Sequence, residues 1–136
     1  MATAGYSGTP LVKKLGIKPE MKVLLLNAPG NYFALLEQDI TAQLIKGRQM
    51  PAFIHLFAKD IPTFEKDMQK ILPFSRANTG IVIWVSWYKK TSGIATDLNE
   101  NIIRDFALQN NLVDIKVCAV SDQWSGLKLV VPVAKR

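Results

Sequence analysis

Three short apolar runs constrain this chain more than any other feature of it. They are VLLL (23–26), AFIHLFA (52–58) and IVIWVSW (81–87). Each is too brief for a helix, and none alternates as a half-exposed strand would. Continuous apolar runs of this length, bounded by turn residues, read as strands covered on both faces. The segments between them carry helical spacing. Phe33, Leu36, Ile40 and Leu44 predict a helix beginning near Asn31, with no evident end before the break at 47–51. Phe64, Met68, Ile71 and Leu72 predict an amphipathic helix over 62–72, started by Asp60 or Thr63 and stopped by Pro73. Asp97 followed by Glu100 resembles a reciprocal helix cap, with Leu98, Ile102, Ile103 and Phe106 as the buried stripe.

Two further elements complete the pattern. The stretch from Thr9 to Gly16 reads as a short helix, with Thr9 as its cap, Pro10 in its first turn and Gly16 at its left-handed exit. The last part, VDIKVCAVSDQWSGLKLVVPV (113–133), holds two β-rich runs joined by a polar turn around Ser121 to Gly126, an antiparallel hairpin. Strands alternating with helices define an α/β fold. The expectation is a three-layer α/β sheet, mostly parallel, with helices on both faces and the terminal hairpin antiparallel at or inside one edge. Residues 1–136 form one domain, with 1–8 a candidate arm carrying Tyr6. Between Gly30 and Pro51 there is room only for a short strand near 42–46, covering the exposed edge of the first strand.

Composition excludes more than it selects. A net charge of +6 invites a phosphate-bearing partner. Yet the cations are scattered along the chain, with no basic helix, finger spacing or stacking motif, so nucleic acid is not expected. Cys118 is the sole cysteine and His55 the sole histidine. No intramolecular disulfide, cysteine-based metal site or Cys–His pair can be assembled from them. His55 reads as a hydrogen-bonded interior side chain and Cys118 as a small buried hydrophobe. The start lacks the charged and apolar regions of a secretory signal, and no apolar run reaches the length of a membrane span. A soluble, cytoplasmic protein is the expectation.

The stretch LGIKPEMKVLLLNAPGNY (15–32) resembles the opening strand and turn of Rossmann-like, S-adenosylmethionine-dependent methyltransferases. A closer resemblance is to a bacterial family of small proteins with a domain of unknown function. It is carried by GYSGTPLVKKLGIKP (5–19), VLLLNAP, WVSWYKKTSGIATDL and LVDIKVCAVSDQWSGLKLV, which together cover nearly the whole chain. The resemblance implies a methyltransferase-like fold and no established activity. The residues themselves depart from a working cofactor cradle. The turn Asn27-Ala28-Pro29-Gly30-Asn31 has one glycine, and its proline removes an N–H donor. No acidic residue stands at the end of a clear second strand to hold a ribose.

The stretch WYKKTSGIAT (87–96) is the remaining candidate. In an open α/β sheet its start shares the strand-end rim with the first turn, where ligands bind. Asn27, Pro29, Gly30, Trp87, Lys89, Lys90, Thr91, Ser92 and Thr96 are therefore the candidate ligand-binding residues, suited to a small anion. Tyr6 and Trp124 are the candidate partner contacts. Two readings of function follow. The first is a non-catalytic Rossmann-like module acting through a protein partner or self-association. The alternative is a binder of a nucleotide, phosphate or S-adenosylmethionine-like molecule, or a degenerate methyltransferase, working at that rim.

Overall fold

The computed structural model describes residues 9–136. Five strands, β1 (Val23–Leu26), β2 (Phe53–Phe57), β3 (Val82–Tyr88), β4 (Val113–Ala119) and β5 (Trp124–Val130), form one sheet in the order β1-β2-β3-β5-β4. The pairings of β1 with β2 and of β2 with β3 are parallel; those of β5 with β3 and with β4 are antiparallel. The sheet is thus mixed, not mostly parallel. The cause is the terminal hairpin: β5 folds back to lie between β3 and β4 and contributes both antiparallel ladders.

The helices are α1 (Leu11–Leu15), α2 (Tyr32–Leu36), α3 (Ile61–Ala77) and α4 (Glu100–Gln109). One apolar layer joins α3 and α4 to Ile54, Leu56, Ile83, Val85, Trp87, Leu127 and Leu129 of the sheet. The other joins α1 and α2 to Phe53, Phe57, Trp84 and Trp124. Both faces of β2 and β3 are therefore covered, which is why their sequences run apolar without alternation. The Trp84 indole N–H donates to the Leu15 carbonyl at 2.8 Å and fixes α1 on its face.

Several boundaries differ from the sequence expectation. Pro10, not Thr9, stands at the N-cap of α1, and its carbonyl accepts from Lys13 and Lys14. Helix α2 stops after a single turn and a half because Glu37 turns left-handed at φ 60°. The Glu37 and Gln38 N–H groups then close onto the Ala34 and Phe33 carbonyls. Beyond it, Leu44 makes one parallel bridge to Val23, and the Ile45 N–H donates to the Val23 carbonyl at 2.9 Å. This short segment covers the outer edge of β1.

Pro73 lies inside α3 instead of ending it. The helix accepts the lost hydrogen bond because Ser75 is buried beyond it and Phe74 packs on the core. Asp60 caps α3 by accepting from the Thr63 N–H at 2.9 Å. Helix α4 is capped by Asn99, which accepts from Ile102, and not by Asp97. Asp97 instead accepts the Ile61 N–H at 2.8 Å, serving the start of α3.

Candidate functional site

The carboxyl ends of β1, β2 and β3 share one rim, and the segments 27–30 and 89–96 follow the ends of β1 and β3. The side chains of Asn27, Ser92 and Thr96, however, are turned onto the protein. Asn27, at φ 60°, leaves β1 in a left-handed conformation. Its side-chain amide donates to the Phe57 carbonyl at 3.1 Å and to Asp67 Oδ2 at 2.8 Å. Asp67 is nearly buried on α3, and Lys70 Nζ lies 3.5 Å from its other oxygen. Asn27 and Asp67 therefore tie the end of β1 to α3.

The turn after β1 does not cradle a ligand through glycine. Gly30 has no positive φ, and a Cβ placed there would meet nothing within 4 Å. The Pro29 carbonyl is used locally, accepting from Tyr32 at 3.0 Å. Trp87 is 8% exposed and belongs to the α3–α4 core layer, so it offers little face to the rim.

The loop from Lys89 to Thr96 is held in the same inward way. Lys89 is half-buried and its N–H donates to the Gln123 carbonyl at 2.9 Å, while Lys90 and Thr91 are exposed. Ser92 Oγ donates to the Lys89 carbonyl at 2.7 Å and accepts from Ile94. Thr96 Oγ1 donates to the Lys59 carbonyl at 2.6 Å and accepts from Leu98. Each hydroxyl has only one hydrogen to give, and both are committed to backbone. The loop is a brace between β3 and the β2–α3 turn, not a row of free donors.

Of the partner candidates, Tyr6 lies outside the described residues. Trp124 is 6% exposed. It stacks on Tyr88 at 4.2 Å and meets Phe57 edge-on at 5.0 Å, so it packs back on its own domain and is not a partner-facing residue.

A cluster that the sequence does not announce lies beneath α2. The Tyr32 hydroxyl is 2.7 Å from His55 Nδ1, and His55 Nε2 is 2.7 Å from Ser86 Oγ. His55 stacks on Phe57 at 4.3 Å, and Tyr32 meets both rings edge-on. Burial pushes the imidazole pKa down to about 3 and the phenol pKa upward, so both groups stay neutral. A serine, an imidazole and an orienting phenol in line have the outline of a nucleophile relay. Yet His55 and Ser86 have no exposed surface, and no substrate atom can reach the serine. The triad is a polar clamp between β2, β3 and α2. Tyr32 and Asp67 were missed in the sequence for the same reason: each is a polar side chain set into an apolar stripe. That interruption, Asp67 beside Phe64, Met68 and Ile71, was the available signal.

A polar cavity of about 420 Å³ opens at the other end of the sheet, where α3 and α4 finish. Arg76, Thr79, Asn110 and Lys135 are among its lining residues. Arg76, in the last turn of α3, answers the carbonyl end of that helix. Among the described residues no group of three or more potential ligands could hold a metal ion, and no helix is long and apolar enough to cross a membrane.

No protein-family model and no curated protein matches the chain. One solved structure that resembles it is a protein in the NADB-Rossmann superfamily from Streptococcus agalactiae. The two share 7% identity and a TM-score of 0.46, over 90% of this chain and 68% of that one.

Proposed function

We propose that this chain is a non-catalytic α/β module that acts by docking protein along the open edge of β4, with a second copy of the chain as the partner. The observation that carries this reading is the contrast between the two edges of the sheet. The edge of β1 is covered at Val23, by a bridge from Leu44 and a hydrogen bond from Ile45. The edge of β4 has no pairing strand among the described residues, and Ile115 and Val117 on it are 56% and 53% exposed. Leu108 on neighbouring α4 is 58% exposed. Folded proteins ordinarily defend such an edge, because its free N–H and C=O groups template further pairing. The bulge between Asp114 and Lys116 interrupts the ladder locally but leaves Val117 to Ala119 in regular register.

The inward commitment of Ser92, Thr96 and Asn27 supports the same reading, since it leaves those side chains no free donor for a ligand. The alternative, a small-ligand binder or degenerate methyltransferase, keeps only the position of Lys89 and Lys90 in its favour. Sedimentation equilibrium tests the proposal. The wild-type chain is expected to dimerise in the micromolar range, and an Ile115→Lys/Val117→Lys variant to stay monomeric. A wild type that remains monomeric at the highest soluble concentration would remove self-association as its mode of action.

A further inference from the structure

The cations that look scattered in the sequence converge in space. Lys116 on β4 and Lys128 on β5 are direct cross-strand partners, so their side chains leave the same face of the sheet. Like charges placed opposite each other in a ladder are destabilising. Lys128 Nζ lies 3.9 Å from where a Cβ on Gly16 would sit, at the exit of α1. Lys116 Nζ donates to the Lys14 carbonyl at 3.1 Å. Lys18 follows on the same exit, and Lys128 is pushed below the usual lysine range by burial, then by the charges of Lys116 and Lys18. Burial pushes the nearby Cys118 thiol upward, and the charges of Lys14, Lys116 and Lys89 act against it. Among the described residues no carboxylate forms an ion pair with Lys18, Lys116 or Lys128.

We infer that the face formed by the α1 exit and the β4–β5 hairpin, with Lys18, Lys116 and Lys128 at its centre, is a binding site for a small polyvalent phosphate anion. A compact multiply charged group is the chemistry that offsets several converging ammonium ions at once. A long polynucleotide fits less well. The cluster is a single knot and not a stripe, and the aromatic rings nearest the hairpin turn, Tyr88 and Trp124, are stacked on each other instead of offered to bases. The site is separate from the strand-end rim: it lies midway along the sheet, on the α1 side.

Isothermal titration with tripolyphosphate at low salt tests this, with inorganic phosphate and a single-stranded oligonucleotide titrated beside it. The wild type is expected to bind tripolyphosphate more tightly than phosphate. The Lys116→Gln/Lys128→Gln variant, and separately Lys18→Gln, should each weaken it at least tenfold. A Lys59→Gln/Lys66→Gln control, equal in charge to the double variant and on the exposed surface of the α3 side, should change it less than threefold. Equal losses in control and patch variants would reduce the effect to net charge and defeat the proposal. So would an absence of tripolyphosphate binding, or an oligonucleotide that binds more tightly through the same lysines. Circular dichroism of each variant confirms that a loss is not unfolding.

Discussion

His55 Nδ1 lies 2.7 Å from the Tyr32 hydroxyl oxygen, in a core where His55 meets no solvent at all. The neutral ring carries one hydrogen and each hydroxyl carries another, so two hydrogen bonds share three hydrogens. Reversing the ring tautomer reverses both bonds together. Tyr32, His55 and Ser86 consequently act as one polar unit, and disturbing any of them disturbs all.

The pH dependence of folding follows from the depressed pKa of His55. Its folded value is about 3 against an ordinary 6.5. Between those values the unfolded chain binds a proton that the folded chain refuses. Stability from this residue is therefore complete above pH 6.5 and declines as pH falls toward 3, by about 1.4 kcal/mol per pH unit. Urea denaturation from pH 7 to pH 4 should show a slope steeper by one proton in the wild type than in His55→Phe.

Removing the outer hydroxyl isolates the ring. Tyr32→Phe leaves His55 Nδ1 buried without its partner and should cost about 1–3 kcal/mol. Ser86→Ala should cost a similar amount. The double variant should fall short of the sum, because the pair shares one network. Chemical denaturation of the four proteins gives the coupling directly.

Asn27 combines a left-handed backbone with two donated hydrogen bonds. Asn27→Ala should lose about 2–3 kcal/mol, from backbone strain together with the unpaired Asp67 oxygen and Phe57 carbonyl. Asn27→Gly restores the backbone freedom but not the donors, so it should sit between alanine and wild type. Equality of the two variants in thermal denaturation would assign the whole effect to the side chain.

Gly126 has a different reason to be glycine. A Cβ there would come within 3.0 Å of Val120 Cγ2 and 3.1 Å of Trp84 Cε3. Trp84 is wholly buried and anchored through its indole N–H, so it has no room to retreat. Gly126→Ala should destabilise the fold by about 1–3 kcal/mol. A denaturation midpoint equal to the wild type's would mean that Val120 and Trp84 yield more easily than this packing implies.

At the rim, Lys89→Ala/Lys90→Ala should alter stability by no more than about 0.5 kcal/mol. A ligand held there at a hundred times its dissociation constant would stabilise the wild type by about 2.7 kcal/mol. A thermal-shift panel of S-adenosylmethionine, its demethylated product and nucleotides is expected to show no lysine-dependent shift. A clear shift confined to the intact protein would reinstate the rim as a ligand site.

The strands were the legible part of this fold. VLLL, FIHLF and VIWVSWY lie where their apolar runs placed them, because burial on both faces leaves an unmistakable composition. The hairpin was legible too, yet its insertion beside β3 makes half of the pairings antiparallel, a tertiary choice that no local pattern records. Helix ends were less readable. Asp97 and Asn99 are both competent caps two residues apart, and only their placement in space decides that Asp97 serves α3 while Asn99 serves α4. Nothing about Glu37 advertises a left-handed turn. Topology places the ends of β1 and β3 on one rim, but which way a hydroxyl points there depends on carbonyls from other elements. The lysine face was hidden for a related reason: Lys18, Lys116 and Lys128 meet only once the chain is folded.

The segment along β1 also sets the stoichiometry of any assembly through β4. A sheet with two free borders would add copies at both and grow without limit. Here the bridge from Leu44 to Val23 obstructs one border, and among the described residues β4 is the border that no segment bridges. Two molecules that join through β4 use up each other's capacity, and growth ends at a pair instead of continuing into a fibre.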